Sequence, residues 1–286
     1  MSRKSLTLAM ALLAVVSAGC IQDQKVLKLQ RDGSGTLVEE IYMSPQMTGM
    51  MEQMAAGMTQ ALPQGGAPAD AAKAKAALDP LEMFKSDIEK RTAKLGPAVK
   101  LVSKASKTNA QGWKGYVLTY RFDDITKVNL SLTDQKKDDS AEPGKAKGDP
   151  LRVTFRKTPR PMVSFQQVPL PQAAAAPAKP GEAGAGAEAN NAMPAAMMSA
   201  MLQGMRISFL VEVDGKIQST TSHYRQGDNR IVLFDLPMDK VLANAAGAKL
   251  LEGGKDDPRA LDKLRELKIE GLAIEDLSKG LVIEWQ

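Results

Sequence analysis

VLKLQRDGSGTLVEEIYM, residues 26–43, is the stretch whose reading decides the fold. Val26 to Gln30 and Thr36 to Met43 run at period two, the spacing that sends alternate side chains to opposite faces of a strand. Between them stands Asp32-Gly33-Ser34-Gly35, rich in residues that accept a tight reversal. The segment reads as a β-hairpin. A hairpin alone is marginal in water, so more strands with the same period must follow.

They do. Tyr116, Leu118, Tyr120 and Phe122 alternate with Val117, Thr119 and Arg121, and Leu151, Val153 and Phe155 alternate with Arg152, Thr154 and Arg156. Thr158-Pro159-Arg160-Pro161 turns into Met162 to Val168. Ile207, Phe209, Val211 and Val213 form another strand; Asp214-Gly215 predicts a turn, with Lys216 to Tyr224 returning beside it. Gly227-Asp228-Asn229 turns again into Ile231 to Leu236, and Leu281 to Trp285 resumes the alternation. Helices are fewer. Asp79-Pro80-Leu81-Glu82 carries an N-cap acid, a proline at the first helical position and a glutamate two residues later, with Leu81, Phe84, Ile88 and Leu95 on one face. Asp257-Pro258 opens a second in the same way, striped by Leu261, Leu264 and Leu267, and Pro237 to Ala246 is a third. The expectation is an α+β fold: a largely antiparallel β-sheet, apolar on one face and polar on the other, with a few packed helices.

Before the first strand the chain reads MSRKSLTLAMALLAVVSAGC, residues 1–20. Arg3 and Lys4 precede an apolar run from Leu6 to Val16, too short to span a bilayer, and small residues follow up to Cys20. Residues 1–19 read as a signal peptide, leaving 20–286 as one envelope domain. The Ala18-Gly19-Cys20 ending resembles the lipobox of bacterial lipoproteins, although Ser17 stands where that family usually has leucine. The resemblance implies cleavage before Cys20 by signal peptidase II and acylation of the new N-terminal cysteine. As Cys20 is the chain's only cysteine, lipidation also accounts for what would otherwise be an unpaired thiol in an oxidising compartment. Ile21 follows, rather than the aspartate that retains some lipoproteins at the inner membrane, which favours the outer membrane.

The formal charge is +5; Arg3 and Lys4 lie in the leader, so the mature chain carries about +3, too little to argue for nucleic acid. Residues 61–78, 134–149 and 169–192 are Ala/Pro/Gly-rich or charged and read as flexible stretches interrupting the domain. Of 16 methionines, ten lie in two windows: Met47, Met50, Met51, Met54 and Met58, then Met193, Met197, Met198, Met201 and Met205. Both follow helical spacing. Three uses fit such faces: filling the core; an adaptable surface for lipid, a partner protein or the membrane; and Cu(I) capture by soft thioethers.

Candidate catalytic groups are few. His223 is the single histidine, and a triad could be written with Ser222 and Asp228, but neighbours on a strand face opposite ways and no nucleophile elbow is present. A surface imidazole is the simpler reading. The pairs Asp123-Asp124, Asp138-Asp139 and Asp256-Asp257 sit where turn and cap roles suffice. Asp32-Gly33-Ser34-Gly35 lacks the spaced oxygens of a calcium loop, and no phosphate-binding glycine loop occurs. Arg152, Arg156, Lys157 and Arg160, with Lys114, Arg121 and Lys127 earlier, make basic stripes that suit a solvated sheet face or anionic headgroups. No catalytic, cofactor or metal site is assigned; the one site residue is the lipidation site, Cys20.

Residues 207–241, ISFLVEVDGKIQSTTSHYRQGDNRIVLFDLPMDKV, together with the early hairpin KLQRDGSGTLVEEIYM and FDDITKV at 122–128, resemble the LppM-type domain of bacterial lipoproteins. That resemblance implies an antiparallel sheet with packed helices and a non-catalytic, lipid-interacting role. The expected protein is lipid-anchored in the cell envelope, faces the periplasm, and binds or scaffolds a lipid or protein partner at its methionine-rich segments. The alternatives are an envelope hydrolase with an unrecognised carboxylate site and a methionine-based Cu(I) binder.

Overall fold

A computed structural model describes residues 21–49, 53, 85–131, 150–167, 202, 204–253 and 260–286. The first element is the expected hairpin: β1 (Ile21–Leu29) and β2 (Gly35–Met43) pair antiparallel along their whole length, Ile21 facing Met43 and Leu29 facing Gly35. Asp32 closes the turn, its carboxylate accepting from the Ser34 N–H at 2.9 Å and the Ser34 hydroxyl at 2.7 Å. Gly35 is tightly enclosed. A side chain there would collide with the Lys28 carbonyl oxygen across the hairpin.

Helix α1 (Lys85–Lys94) presents buried Ile88 to the core and ends at Gly96, whose φ of +100° suits glycine. Next comes β3 (Val99–Thr108), an edge strand with most side chains in solvent that the alternation rule did not flag. Its partner is β4 (Lys114–Phe122), and a 3-10 turn, Ile125–Lys127, leads to β5 (Leu130–Ser131). Strands β6 (Pro150–Arg156), β7 (Met162–Gln167), β8 (Arg206–Val213), β9 (Ile217–Thr220), β10 (Arg225–Gln226) and β11 (Arg230–Pro237) follow. Three short helices come next, α2 (Met238–Ala243), α3 (Ala245–Gly253) and α4 (Ala260–Glu266), and then β12 (Ala273–Ile274) and β13 (Leu281–Trp285). Between α2 and α3 the Asn244 side chain accepts from the N–H groups of Ala246 and Gly247, so the expected single helix from Pro237 is two.

The strands form two sheets, not one. The larger has the order β10-β11-β8-β1-β2-β4-β3 with β12 on β11, and the smaller β5-β6-β7-β13-β9. Most pairs are antiparallel and the α+β expectation stands, but β1 and β8 pair parallel, Gln22 beside Arg206 and Leu29 beside Val213. The hairpin expected at Asp214-Gly215 does not form. Instead β8 pairs with β1 and β11, while β9 pairs with β13, so the turn carries the chain from one sheet to the other. Gly215 makes the crossing with φ +134°, and Lys216 exchanges backbone hydrogen bonds with Gln286.

One buried cluster spans both sheets, with Leu27, Leu29, Phe122, Val211 and Ile231 from the larger and Val163, Phe165, Ile283 and Trp285 from the smaller. The smaller sheet keeps the expected polar face, with Arg152, Thr154, Arg156 and Gln166 exposed. The larger does not. Leu210 and Val232 are buried on its outer face as well, because β8 and β11 carry apolar residues in both phases, and Tyr42 of β2 is buried on that face too. Strand directions gather Ile21, Met43, Thr108, Lys114, Arg206 and Pro237 at one end of this sheet; the β1–β2 turn lies at the other, about 30 Å away along nine residues.

Cys20, the acidic pairs at 138–139 and 256–257, and the stretches 61–78, 134–149 and 169–192 lie outside the described residues. So do most of the clustered methionines. Of these, Met47 is half-buried in a helical turn at 45–49, and Met205 packs on the core just before β8. Among the described residues no helix is long and apolar enough to cross a membrane.

Candidate functional site

The inner face of the larger sheet changes character along its length. Near the β1–β2 turn it is apolar, with Leu29, Leu27 and Leu37 meeting Phe122, Tyr120 and Val211. Two rows further on, the same phase brings Lys25 opposite Glu39 and then Asp23 opposite Ile41, beside Leu118 and Tyr116 of β4. Helix α1 adds Arg91 from its last turn. Arg91 Nη1 donates to Glu39 Oε1 at 2.6 Å, and Lys25 Nζ lies 3.6 Å from the same oxygen, with only 5% of the Glu39 side chain exposed. The Asp23 Oδ1 atom is also buried.

Burial raises the Tyr116 hydroxyl far above the usual tyrosine range. The Arg91 charge opposes that rise, and Glu39, Asp23 and Tyr120 add to it. Two carboxylates and two cations thus share one layer under α1. The formal charges balance, so the layer resembles a buried ion-pair network more than a site held ready for a charged ligand. None of these residues was singled out from the sequence. The available signal was phase: Asp23 and Lys25 alternate in step with Leu27 and Leu29, and Glu39 with Leu37 and Ile41.

A second constellation surrounds Glu275, just after β12, whose side chain is 4% exposed. Its Oε1 accepts from the Ser222 hydroxyl, from the His223 N–H at 2.8 Å and from the Tyr224 N–H at 3.2 Å. His223 Nδ1 lies 3.5 Å from Oε2, with 82% of the imidazole in solvent. Asp228 is elsewhere, 72% exposed and paired with Lys216 and Arg225. Ser222, His223 and Asp228 are therefore not brought together as a triad: the hydroxyl donates to a carboxylate, where a nucleophile would need the imidazole. Glu275 serves as the anchor of the loop between β9 and β10.

Of the acidic pairs singled out from the sequence, only Asp123-Asp124 falls among the described residues. Asp124 caps the 3-10 turn, accepting from the Thr126 N–H at 3.0 Å and hydroxyl at 2.7 Å, and the hydroxyl bond leads in lowering its carboxyl below the ordinary value. The basic residues divide between the sheets, Arg152 and Arg156 on the smaller and Arg121 on the larger, with Arg160 Nη1 3.5 Å from Glu284. An open, polar groove of about 460 Å³ lies beside the β1–β2 turn, lined by Lys28, Thr36, Glu212 and Asn229 among others. Among the described residues no group of three or more His, Cys, Asp or Glu could hold a metal ion.

The class defined by these features is an α+β protein with two antiparallel-dominated sheets on a shared core. No family model matches the chain, and no curated protein matches it. Among solved structures it is similar to the folded domain of the LppM protein of Mycobacterium tuberculosis, at 8% identity and a TM-score of 0.30 over 79% of this chain and 86% of that one.

Proposed function

We propose that this chain is a lipid-anchored protein of the bacterial cell envelope whose folded part binds or scaffolds and catalyses no reaction. The observation that carries this reading is the short apolar leader ending in Ala18-Gly19-Cys20, with Cys20 the only cysteine. A diacylglycerol and an amide-linked chain on that residue exceed the two signals needed for stable anchoring. The protein would face the periplasm, on the outer membrane by the Ile21 criterion, and meet lipid or an envelope protein through its methionine-rich stretches. The polar constellations support a non-catalytic role, since Glu275, Ser222, Glu39 and Arg91 are each engaged in holding elements together. The test is Cys20→Ala: the variant should leave the membrane fraction, and the intact mass of the wild-type N-terminus should carry acyl chains. Retention of the variant, or an unacylated wild type, would remove the reading.

One feature favours a second reading, an envelope hydrolase. Asp23 and Glu39 are carboxylates on neighbouring rows of one inner face. Hydrolysis of envelope esters, glycans or peptides by the purified protein, abolished in Glu39→Gln with folding intact, would put that reading first.

A further inference from the structure

Strand β1 begins at Ile21, one peptide bond after Cys20. A residue spans at most about 3.6 Å of chain, so an acylated Cys20 leaves almost no tether between the bilayer and the sheet. Resting on the lipid-anchor reading, we infer that the end of the larger sheet holding Ile21, Met43, Lys114 and Arg206 lies against an anionic phospholipid surface, with the β1–β2 turn pointing away.

Three observations converge on this orientation. The parallel pairing of β1 with β8 and the antiparallel pairing with β2 place the start of β8 and the end of β2 beside the anchor. The chain therefore enters the first methionine window, and returns from the second, at this same end. A flat-ended sheet with neutral rims would offer the headgroups nothing, but here Lys107 and Lys114 are exposed beside the β3–β4 turn, Lys107 also pairing with Glu40 at 3.4 Å. Lysines close to a surface of anionic lipid are drawn to it electrostatically. The far end carries exposed charge of both signs, Asp32, Asp123, Asp214 and Asp228 beside Arg31, Arg121, Lys127 and Lys216, so the position of the anchor and not charge alone sets the orientation.

The experiment uses the full, acylated chain, whose Cys20 sulfur is consumed as a thioether, so that an introduced cysteine takes a fluorophore alone. Ala110→Cys, in the exposed β3–β4 turn, and Arg31→Cys, in the β1–β2 turn, are labelled separately and reconstituted in vesicles of phosphatidylethanolamine and phosphatidylglycerol bearing a headgroup nitroxide lipid. The label at position 110 should be quenched several-fold more than that at 31, and Gln111→Cys should repeat the result. Equal quenching, or stronger quenching at 31, on vesicle-bound protein overturns the orientation while leaving the anchor standing. Protein that neither carries acyl mass nor floats with vesicles overturns the anchor itself, and the orientation with it.

Discussion

Arg91 reaches from α1 to Glu39 on β2, its Nη1 2.6 Å from Oε1, and so ties a helix to the middle strands of the larger sheet. Lys25 shares that oxygen at 3.6 Å. Glu39→Ala leaves both cations facing an apolar layer without their shared carboxylate, and should lower stability by about 3 kcal/mol, near the lower end for breaking a buried pair because Arg91 keeps some solvent contact. Urea unfolding measures it. A loss below ~1 kcal/mol would mean that the network contributes little.

Tyr116 should contribute to the loss of stability at alkaline pH. Its folded pKa is raised by burial above the ordinary 10.0, so the unfolded chain releases this proton first as pH climbs. Below pH about 10 the contribution is fully present; above it the unfolded state binds fewer protons than the native one, and stability falls. Urea midpoints between roughly pH 9 and 11.5 should slope downward, less steeply in Tyr116→Phe. Parallel slopes in the two proteins would assign the alkaline loss to other groups.

Glu275 and His223 should separate cleanly on substitution. Glu275→Ala strands the donors of Ser222, His223 and Tyr224 and should cost about 2–3 kcal/mol. His223→Ala removes a ring that is mostly in solvent and should stay within about 0.5 kcal/mol. Thermal unfolding of both variants decides the matter. A large loss for His223→Ala would return the imidazole to a structural or chemical role.

At the crossing between sheets, Gly215→Ala adds a Cβ that would fall on the carbonyl oxygen of Gln286, at a backbone φ that other residues rarely adopt. The expected loss is several kcal/mol. Gly112→Ala, also at positive φ but facing open space, supplies the comparison and should cost about 1–2 kcal/mol. Similar losses for both would show that the Gln286 contact is unimportant.

These positions also show what kind of information the sequence holds. The β1–β2 hairpin was legible because its alternation and its Asp32–Ser34 turn are local. Asp214-Gly215 offers the same local pattern and misled, since Val213 bonds to Asn229, and Lys216 to Gln286, partners that no local pattern reveals. The β1·β8 pairing was hidden for the same reason. Strand β3 escaped notice because an edge strand in solvent needs no alternating apolar face, and Lys100, Lys104 and Lys107 instead suit an edge that avoids pairing with other chains. The buried charges at 23, 25 and 39 were visible only as faults in an apolar phase, and phase alone does not say that Arg91 arrives from a helix to meet them.

Both the earliest and the latest strands lie in sheet interiors: β1 between β8 and β2, and β13 between β7 and β9. A chain delivered across a membrane from its N-terminus therefore cannot complete either sheet as it emerges. Gln22 must wait for Arg206 and Val163 for Ile283, with strand edges open in the meantime. On the lipid-anchor reading, export calls for a holding period, in which whatever shields the unpaired edges matters as much to yield as the stability of the finished fold.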